Sequence, residues 1–208
     1  MRTYALKECF FSLQGEGVRA GLPHVFVRFA GCNLSCTKAT HGFDCDTDFD
    51  GGQRLGAAQI VSRVQQLDRA DCRWVLLTGG EPALQLDAVL VAALHDAGFR
   101  IAIETNGTRP LPAGLDWICV SPKTPEHALA VGQANEVKFV LGAGAPLPQT
   151  RITAQHYLLS PAFEVRSRTD PDRPGELPEQ NLRWCTELCL RNPPWRLSVQ
   201  QHKLWRVR

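Results

Sequence analysis

Residues 73–107 read RWVLLTGGEPALQLDAVLVAALHDAGFRIAIETNG. The apolar run WVLL ends in T-G-G-E. Apolar residues then recur at helical spacing through LQLDAVLVAALHDAGF (84–99), with Gly98 near the end. A second apolar run, IAI, ends in E-T-N-G. Strand, helix, strand is the right-handed unit of a parallel sheet. The pattern extends in both directions. HVFVRFAG (24–31), DWICVSPK (116–123), EVKFVLG (136–142), HYLLSPA (156–162) and WRLSVQQH (195–202) read as strands. LGAAQIVSRVQQL (55–67) and PEQNLRWCTELCLRN (178–192) read as helices. The second half is thin in helix, with only a weak candidate near 124–134. A complete eightfold barrel needs about 250 residues, and this chain has 208. The expectation is therefore an α/β fold: a partial, splayed parallel β/α barrel in one domain over 1–208, with an exposed loop at 166–179.

Hydrophobic residues make up 44% of the chain and charged residues 21%, with net charge +2. That composition fits a soluble globular protein. Apart from the tail HKLWRVR, Lys and Arg are scattered rather than striped, which argues against nucleic acid as a partner. No run approaches the roughly 20 apolar residues of a membrane span. The N-terminal MRTYALKECFFSLQGEG is broken by Lys7, Glu8 and Gln14, so it does not read as a signal peptide. A cytoplasmic chain is expected, and its eight cysteines are then not a disulfide framework. Cys9, Cys72 and Cys119 are isolated, and Cys119 reads as a buried, inert thiol. Cys185 and Cys189 share a helix face with Leu182 and read as core. Cys32, Cys36 and Cys45 remain.

Five strands end in polar groups: T-G-G-E (78–81), E-T-N-G (104–107), S-P-K (121–123), S-P-A (160–162) and Q-Q-H (200–202). In parallel α/β folds the C-terminal strand ends carry the active site. Asn106-Gly107 alone reads as a turn, but five such endings read as one site. The three cysteines follow the first strand in RFAGCNLSCTKATHGFDCDTDFDG (28–51), with His41 among them. Two centres fit. Zinc would take Cys32, Cys36, His41 and Cys45. A [4Fe–4S] cluster would take three thiolates and leave one iron open for a small molecule. Spacing alone leaves these even. The Gly-Gly-Glu turn after the next strand favours the cluster, because a ligand on an open iron needs backbone groups to hold it.

The cysteines, T-G-G-E-P and the βα pattern resemble the radical S-adenosylmethionine (SAM) enzymes. FFSLQGEGVRAG, VFVRFAGCNLSC, CDTDF, TGGEPALQ, AIETNG, VSPK and WRLSVQQHK resemble one family among them, the 7-carboxy-7-deazaguanine synthases of queuosine and 7-deazapurine biosynthesis. T-G-G-E-P is widely shared, whereas L-Q-G-E-G with C-D-T after the third cysteine is far more specific. The resemblance implies a lyase in which the three cysteines hold the cluster and SAM chelates the open iron. A 5′-deoxyadenosyl radical would then take hydrogen from C6 of 6-carboxy-5,6,7,8-tetrahydropterin, and the ring would contract with loss of ammonia. It implies SAM contacts from Asp46, Thr47, Gly79, Gly80, Glu81, Glu104, Ser121 and Lys123, and Mg²⁺ at Thr47. Pterin contacts would come from Leu13, Gln14, Gly15, Arg28, Thr78, Ser121, Ser160, Pro161, His202 and the carboxylate of Arg208. An external electron donor of the flavodoxin or ferredoxin type and a homodimer are implied as well.

The residue types suit these roles. Thr47 offers a hard oxygen, and glycines admit close backbone approach. Gln14 matches an amide edge, and Arg28 can fork onto a carboxylate. Two features depart from the usual pattern. The spacing is C-x₃-C-x₈-C rather than C-x₃-C-x₂-C, so TKATHG (37–42) reads as an inserted surface loop. Asp44 precedes the third cysteine where an aromatic group commonly covers adenine, and Phe43 is one position off. Two other functions fit parts of the sequence. An activase for a protein substrate keeps the cluster but leaves L-Q-G-E-G and Q-Q-H unexplained. A zinc-stabilised binding module keeps only the metal.

Overall fold

A computed structural model describes residues 2–69, 71–165 and 175–207. It opens with an antiparallel pair, β1 (Tyr4–Leu13) and β2 (Pro23–Phe29), followed by a helical turn α1 (Lys38–His41) and a short β3 (Gln53–Leu55). Next come α2 (Ala57–Leu67), β4 (Trp74–Gly79), α3 (Ala88–Asp96) and β5 (Arg100–Thr105). Then follow β6 (Trp117–Val120), β7 (Gln133–Leu141), β8 (Thr153–Pro161), α4 (Glu179–Arg191), β9 (Trp195–Leu197) and α5 (Gln201–Trp205).

The nine strands among the described residues form one sheet in the order β3-β1-β2-β4-β5-β6-β7-β8-β9. From β2 to β9 every neighbouring pair is parallel. The sheet is open, with β3 and β9 at its edges, which is the splayed barrel expected from the sequence. Alternation along each strand separates its two faces. Val25, Val27, Phe29, Val75, Leu77, Ile101 and Ile103 point outward to Ile60 and Val64 of α2 and to Leu90, Val91 and Leu94 of α3. Each such fully buried side chain contributes about 1.5–3 kcal/mol. Asp87 caps α3 by accepting from Leu90 N at 3.0 Å, so the helix starts later than its apolar pattern. Among the described residues no helix covers the outer face of β6 and β7, which is packed by loop residues such as Leu111, Leu129 and Ile152. The inner face carries Phe10, Phe26, Leu76 and Ala102 at mid-height.

Several elements differ from the sequence reading. β1 pairs with β2 although no strand is expected there, and its register slips between Leu6 and Glu8, which breaks the alternation. The helix candidate near 124–134 is a single 3₁₀ turn, Glu126–Ala128. WRLSVQQH is not one strand: β9 stops at Leu197, and Gln201 and His202 belong to α5. The insertion at 37–42 is one turn of helix with a Gly42 cap in the left-handed region. The loop expected at 166–179 lies mostly outside the described residues, as does Arg208. Among the described residues no helix is long and apolar enough to cross a membrane.

At the N-terminal end of the strands, Arg19 lies 3.5 Å over the Trp74 ring and donates through Nε to His24 Nε2 at 3.0 Å. His24 Nδ1–H then donates to Leu22 C=O at 2.9 Å, which fixes a neutral ring. Burial pushes this imidazole down to about 4. The unfolded chain protonates His24 near its ordinary value of about 6.5, so it binds the extra proton first as pH falls. The stability His24 contributes is therefore complete above about pH 6.5 and is lost on going down to about pH 4, by as much as about 3 kcal/mol. Urea midpoints between about pH 7.5 and 5 should fall less steeply in His24→Gln than in the parent. Equal slopes would contradict this assignment.

Candidate active site

Four polar strand endings and the Q-Q-H segment after β9 meet. Thr78, Gly79 and Gly80, then Glu104, Ser121 with Lys123, Ser160 with Pro161, and Gln200 all line one cavity of about 200 Å³. The cysteine loop closes its side with Cys32, Cys36, Cys45, Asp46 and Thr47. Parallel strands deliver these groups together because their C-terminal ends lie at one edge of the sheet.

The long gap between Cys36 and Cys45 has a local explanation. Cys45 N donates to Cys36 C=O at 3.2 Å, so the two ends of the insertion are pinned together. Between them, Lys38 N donates to Asp44 Oδ1 at 2.9 Å, and Thr37 and Thr40 cap the turn. His41 is turned to Thr40 Oγ1, at 2.6 Å, and does not line the cavity. Phe43 does line it, with the Lys123 ammonium 5.5 Å from its ring centre. Burial, then the nearby Lys138 ammonium, lowers the Lys123 pKa.

The T-G-G-E turn serves the protein's own packing. A Cβ at Gly80 would fall on Gly31 C=O, and one at Gly79, whose φ is +108°, on the Phe29 backbone. Gly80 N donates to Phe29 C=O at 3.0 Å and Glu81 N to Gly31 C=O at 2.9 Å, which locks the turn to the start of the cysteine loop. Glu81, 1% exposed, faces away from the cavity. Its carboxylate accepts from Thr105 Oγ1 and Asn106 N, both at 2.7 Å, and from Ala83 N at 3.0 Å. Burial nonetheless holds its pKa above the ordinary value. Asn106 Nδ2 in turn donates to Asn33 Oδ1 at 3.0 Å, tying β5 to the loop between Cys32 and Cys36.

A model of the radical SAM superfamily matches residues 26–152. The 7-carboxy-7-deazaguanine synthase of Bradyrhizobium diazoefficiens is 42% identical over 99% of this chain and 100% of its own length. The one from Burkholderia multivorans is 44% identical over 97% of each. The chain belongs to the 7-carboxy-7-deazaguanine synthase family. A crystal structure of QueE from Escherichia coli shares the fold, with a TM-score of 0.66 at 24% identity over 95% of this chain and 93% of that one.

Membership of the radical SAM superfamily implies a [4Fe–4S] cluster and SAM. The donor set fits the cluster. All eight cysteines stand as thiols. Zinc–sulfur bonds of about 2.3 Å keep thiolates on one zinc ion within roughly 4.6 Å of each other. The three loop sulfurs are spread more widely, since among the described residues the only His, Cys, Asp or Glu group with all ligand atoms within 4.8 Å is Glu104, Cys119 and Glu136. That spread suits thiolates on separate irons. Cys119 is 1% exposed, and burial with Glu104 beside it pushes its thiol well up.

The remaining candidates of this synthase-family chain lie around the cavity rather than on its wall. Gln14 Nε2 donates to Glu104 Oε1 at 3.0 Å, while Gln14 Oε1 accepts from Gly15 N at 2.8 Å. Leu13 ends β1 opposite Pro23. Gly15 packs under the His202 imidazole, where a Cβ would overlap the ring. Arg28 is the register neighbour of Thr78 but pairs with Glu8, at 3.4 Å. Among the lining groups that escape the sequence reading are Glu16, Lys138 and Phe163. The G-E-G of L-Q-G-E-G was a signal for Glu16. Lys138 has none, because a lysine in EVKFVLG reads as an outward strand residue.

Proposed function

We propose that the chain catalyses radical ring contraction of 6-carboxy-5,6,7,8-tetrahydropterin to 7-carboxy-7-deazaguanine with loss of ammonia. The observation that carries this reading is the docking of two distant motifs at the cysteine-lined cavity. Gln201 N donates to Gly15 C=O at 2.8 Å, Gly17 N to Ser198 Oγ at 2.9 Å, and Gln200 Nε2 to Glu16 Oε1 at 2.8 Å. L-Q-G-E-G and Q-Q-H thereby build one wall of the cysteine-lined cavity, and an activase for a protein substrate leaves both motifs unexplained.

Cys32, Cys36 and Cys45 would hold the cluster, which with SAM would supply the radical chemistry for hydrogen abstraction at C6. The chain's residues bind and orient. Phe43 and Lys123 offer an aromatic face and a donor to adenosine, and the backbone at Gly79 and Gly80 borders the methionine end. Glu16 and Glu104 present carboxylates to the pterin N–H edge. Pro161 and Phe163 give that end an apolar wall, which shields it from water. His202, stacked on Gly15, closes the pterin side in this reading.

Thr47 lines the cavity and is the proposed Mg²⁺ ligand, beside the pterin carboxylate. Thr47→Val should raise the Mg²⁺ concentration for half-maximal rate by about 10–100-fold, with iron content unchanged, as a magnesium titration would read. An unaltered titration would remove Thr47 from that role. The reading also includes an external one-electron donor of the flavodoxin or ferredoxin type. It includes a homodimer too, for which Leu190 and Leu204, 79% and 63% exposed, supply apolar surface. The direct test is anaerobic incubation of reconstituted enzyme with SAM, a reductant and the carboxy-tetrahydropterin. Both 5′-deoxyadenosine and the deazaguanine product are expected, and absence of the deazaguanine would refute the reading.

A further inference from the structure

Lys138 is 4% exposed, a burial that lysine almost never reaches unless paired. It stands on β7, and its Nζ donates to Glu16 Oε2 at 2.5 Å and to Glu104 Oε2 at 3.2 Å. One carboxylate comes from the loop after β1 and the other from the end of β5. Their remaining oxygens are held from two further directions, Glu16 Oε1 by Gln200 Nε2 at 2.8 Å and Glu104 Oε1 by Gln14 Nε2 at 3.0 Å. Glu16, Glu104 and Lys138 all line the cavity. Two carboxylates and one ammonium leave a net single negative charge there, suited to a flat ring that presents several N–H donors along one edge.

We propose that Lys138 is a positioning residue for the pterin: by bridging Glu16 and Glu104 it fixes the spacing and the ionised state of the two acceptors that take the ring's N–H edge. The inference rests on the pterin reading above. The electrostatics agree with it. Burial would raise the Glu16 carboxyl, but the Lys138 ammonium, His202 and the hydrogen bonds from Lys138 and Gln200 together hold it well below the usual range. Burial pushes Glu104 up, Lys138 opposes that, and Glu136 and Glu16 add to it. The other charged or titratable groups facing this triad are His202, Lys123, Asp46, Glu136 and Cys119. Glu136 is itself held by Trp117 Nε1 at 3.1 Å and Val18 N at 2.8 Å. Without Lys138, two like charges would share a buried site, and one would take up a proton.

The test compares wild-type, Lys138→Met and Lys138→Arg holoenzymes after anaerobic reconstitution. For Lys138→Met the expected result is unchanged cluster absorbance, a KM for the pterin raised by about tenfold or more at neutral pH with a smaller change in kcat, and an acid limb of kcat/KM moved up by about one pH unit or more. Calorimetric binding of the pterin should weaken by the same factor, and Lys138→Arg should restore the wild-type acid limb. A folded Lys138→Met enzyme with wild-type KM and acid limb overturns the inference. Should that variant not fold, Glu16→Gln with Lys138→Met keeps the net charge without an unpaired lysine partner, and a wild-type KM there overturns it equally. Wild-type enzyme that turned over no pterin would overturn the functional reading and this inference with it. Wild-type turnover with an unaltered variant overturns this inference alone.

Discussion

Cys45→Ser is expected to yield a protein without the broad brown absorbance of a cluster, with product formation down by more than about a hundredfold, beyond what changes outside a metal's direct ligands cost. Serine is a poor ligand for iron that prefers thiolate. The backbone around it should hold, because the bond from Cys45 N to Cys36 C=O does not involve the side chain. Far-ultraviolet circular dichroism should therefore stay at the parent value while iron per chain falls. His41→Ala is the control that separates the two metals. With His41 turned to Thr40, its loss should leave iron content and rate within about twofold, whereas a zinc centre of Cys₃His type would lose its fourth ligand. Zinc retention in the parent, or its loss in His41→Ala, would overturn the cluster assignment.

The second large effect belongs to Gly80→Ala. The new methyl group would land on Gly31 C=O, and both sides of that contact are backbone held by hydrogen bonds to Phe29 and Glu81. No side chain can move aside, so the cost is about 1–3 kcal/mol or more. In a chain of this length that lowers Tm by roughly 2–12 °C. The shift also reaches Cys32, next in chain to Gly31, and cluster sites tolerate only about 0.5 Å of misplacement. Low iron loading should accompany the lower Tm. Gly132→Ala, where a Cβ meets nothing within 4 Å, should change neither. A Gly80→Ala protein with parental Tm and full iron would show that the turn and the cysteine loop are not packed as described.

Local pattern carried much of this molecule. Periodicity marked the helix before β5 and most parallel strands, because a parallel sheet buried on both faces gives apolar runs that end where the site begins. It failed at β1, where Lys7, Glu8 and the register slip interrupt alternation. It failed again in WRLSVQQH, where three strand residues and a helical turn share one short polar segment. The insertion read as a surface loop, while its hydrogen bonds between Thr37, Thr40, Lys38 and Asp44 form a compact turn that keeps Cys45 beside Cys36. The glycines of T-G-G-E were legible as necessary, but the reason differs. They admit the protein's own Gly31 and Phe29 backbone.

By itself the sequence determined the βα order, the polar strand endings, the three-cysteine set and the family. These features are local: spacing, turn chemistry and ligand type are written within a few residues of each other. Only the tertiary structure decided which charged groups meet. Lys138 reaches Glu16 across 122 positions and Glu104 across 34, and Gln200 reaches Asp46 across 154. A lysine at an alternating strand position has the same sequence signature whether it faces water or the inside of a curled sheet. It becomes a buried counter-ion only when the sheet curls and the L-Q-G-E-G loop is laid across the strand ends.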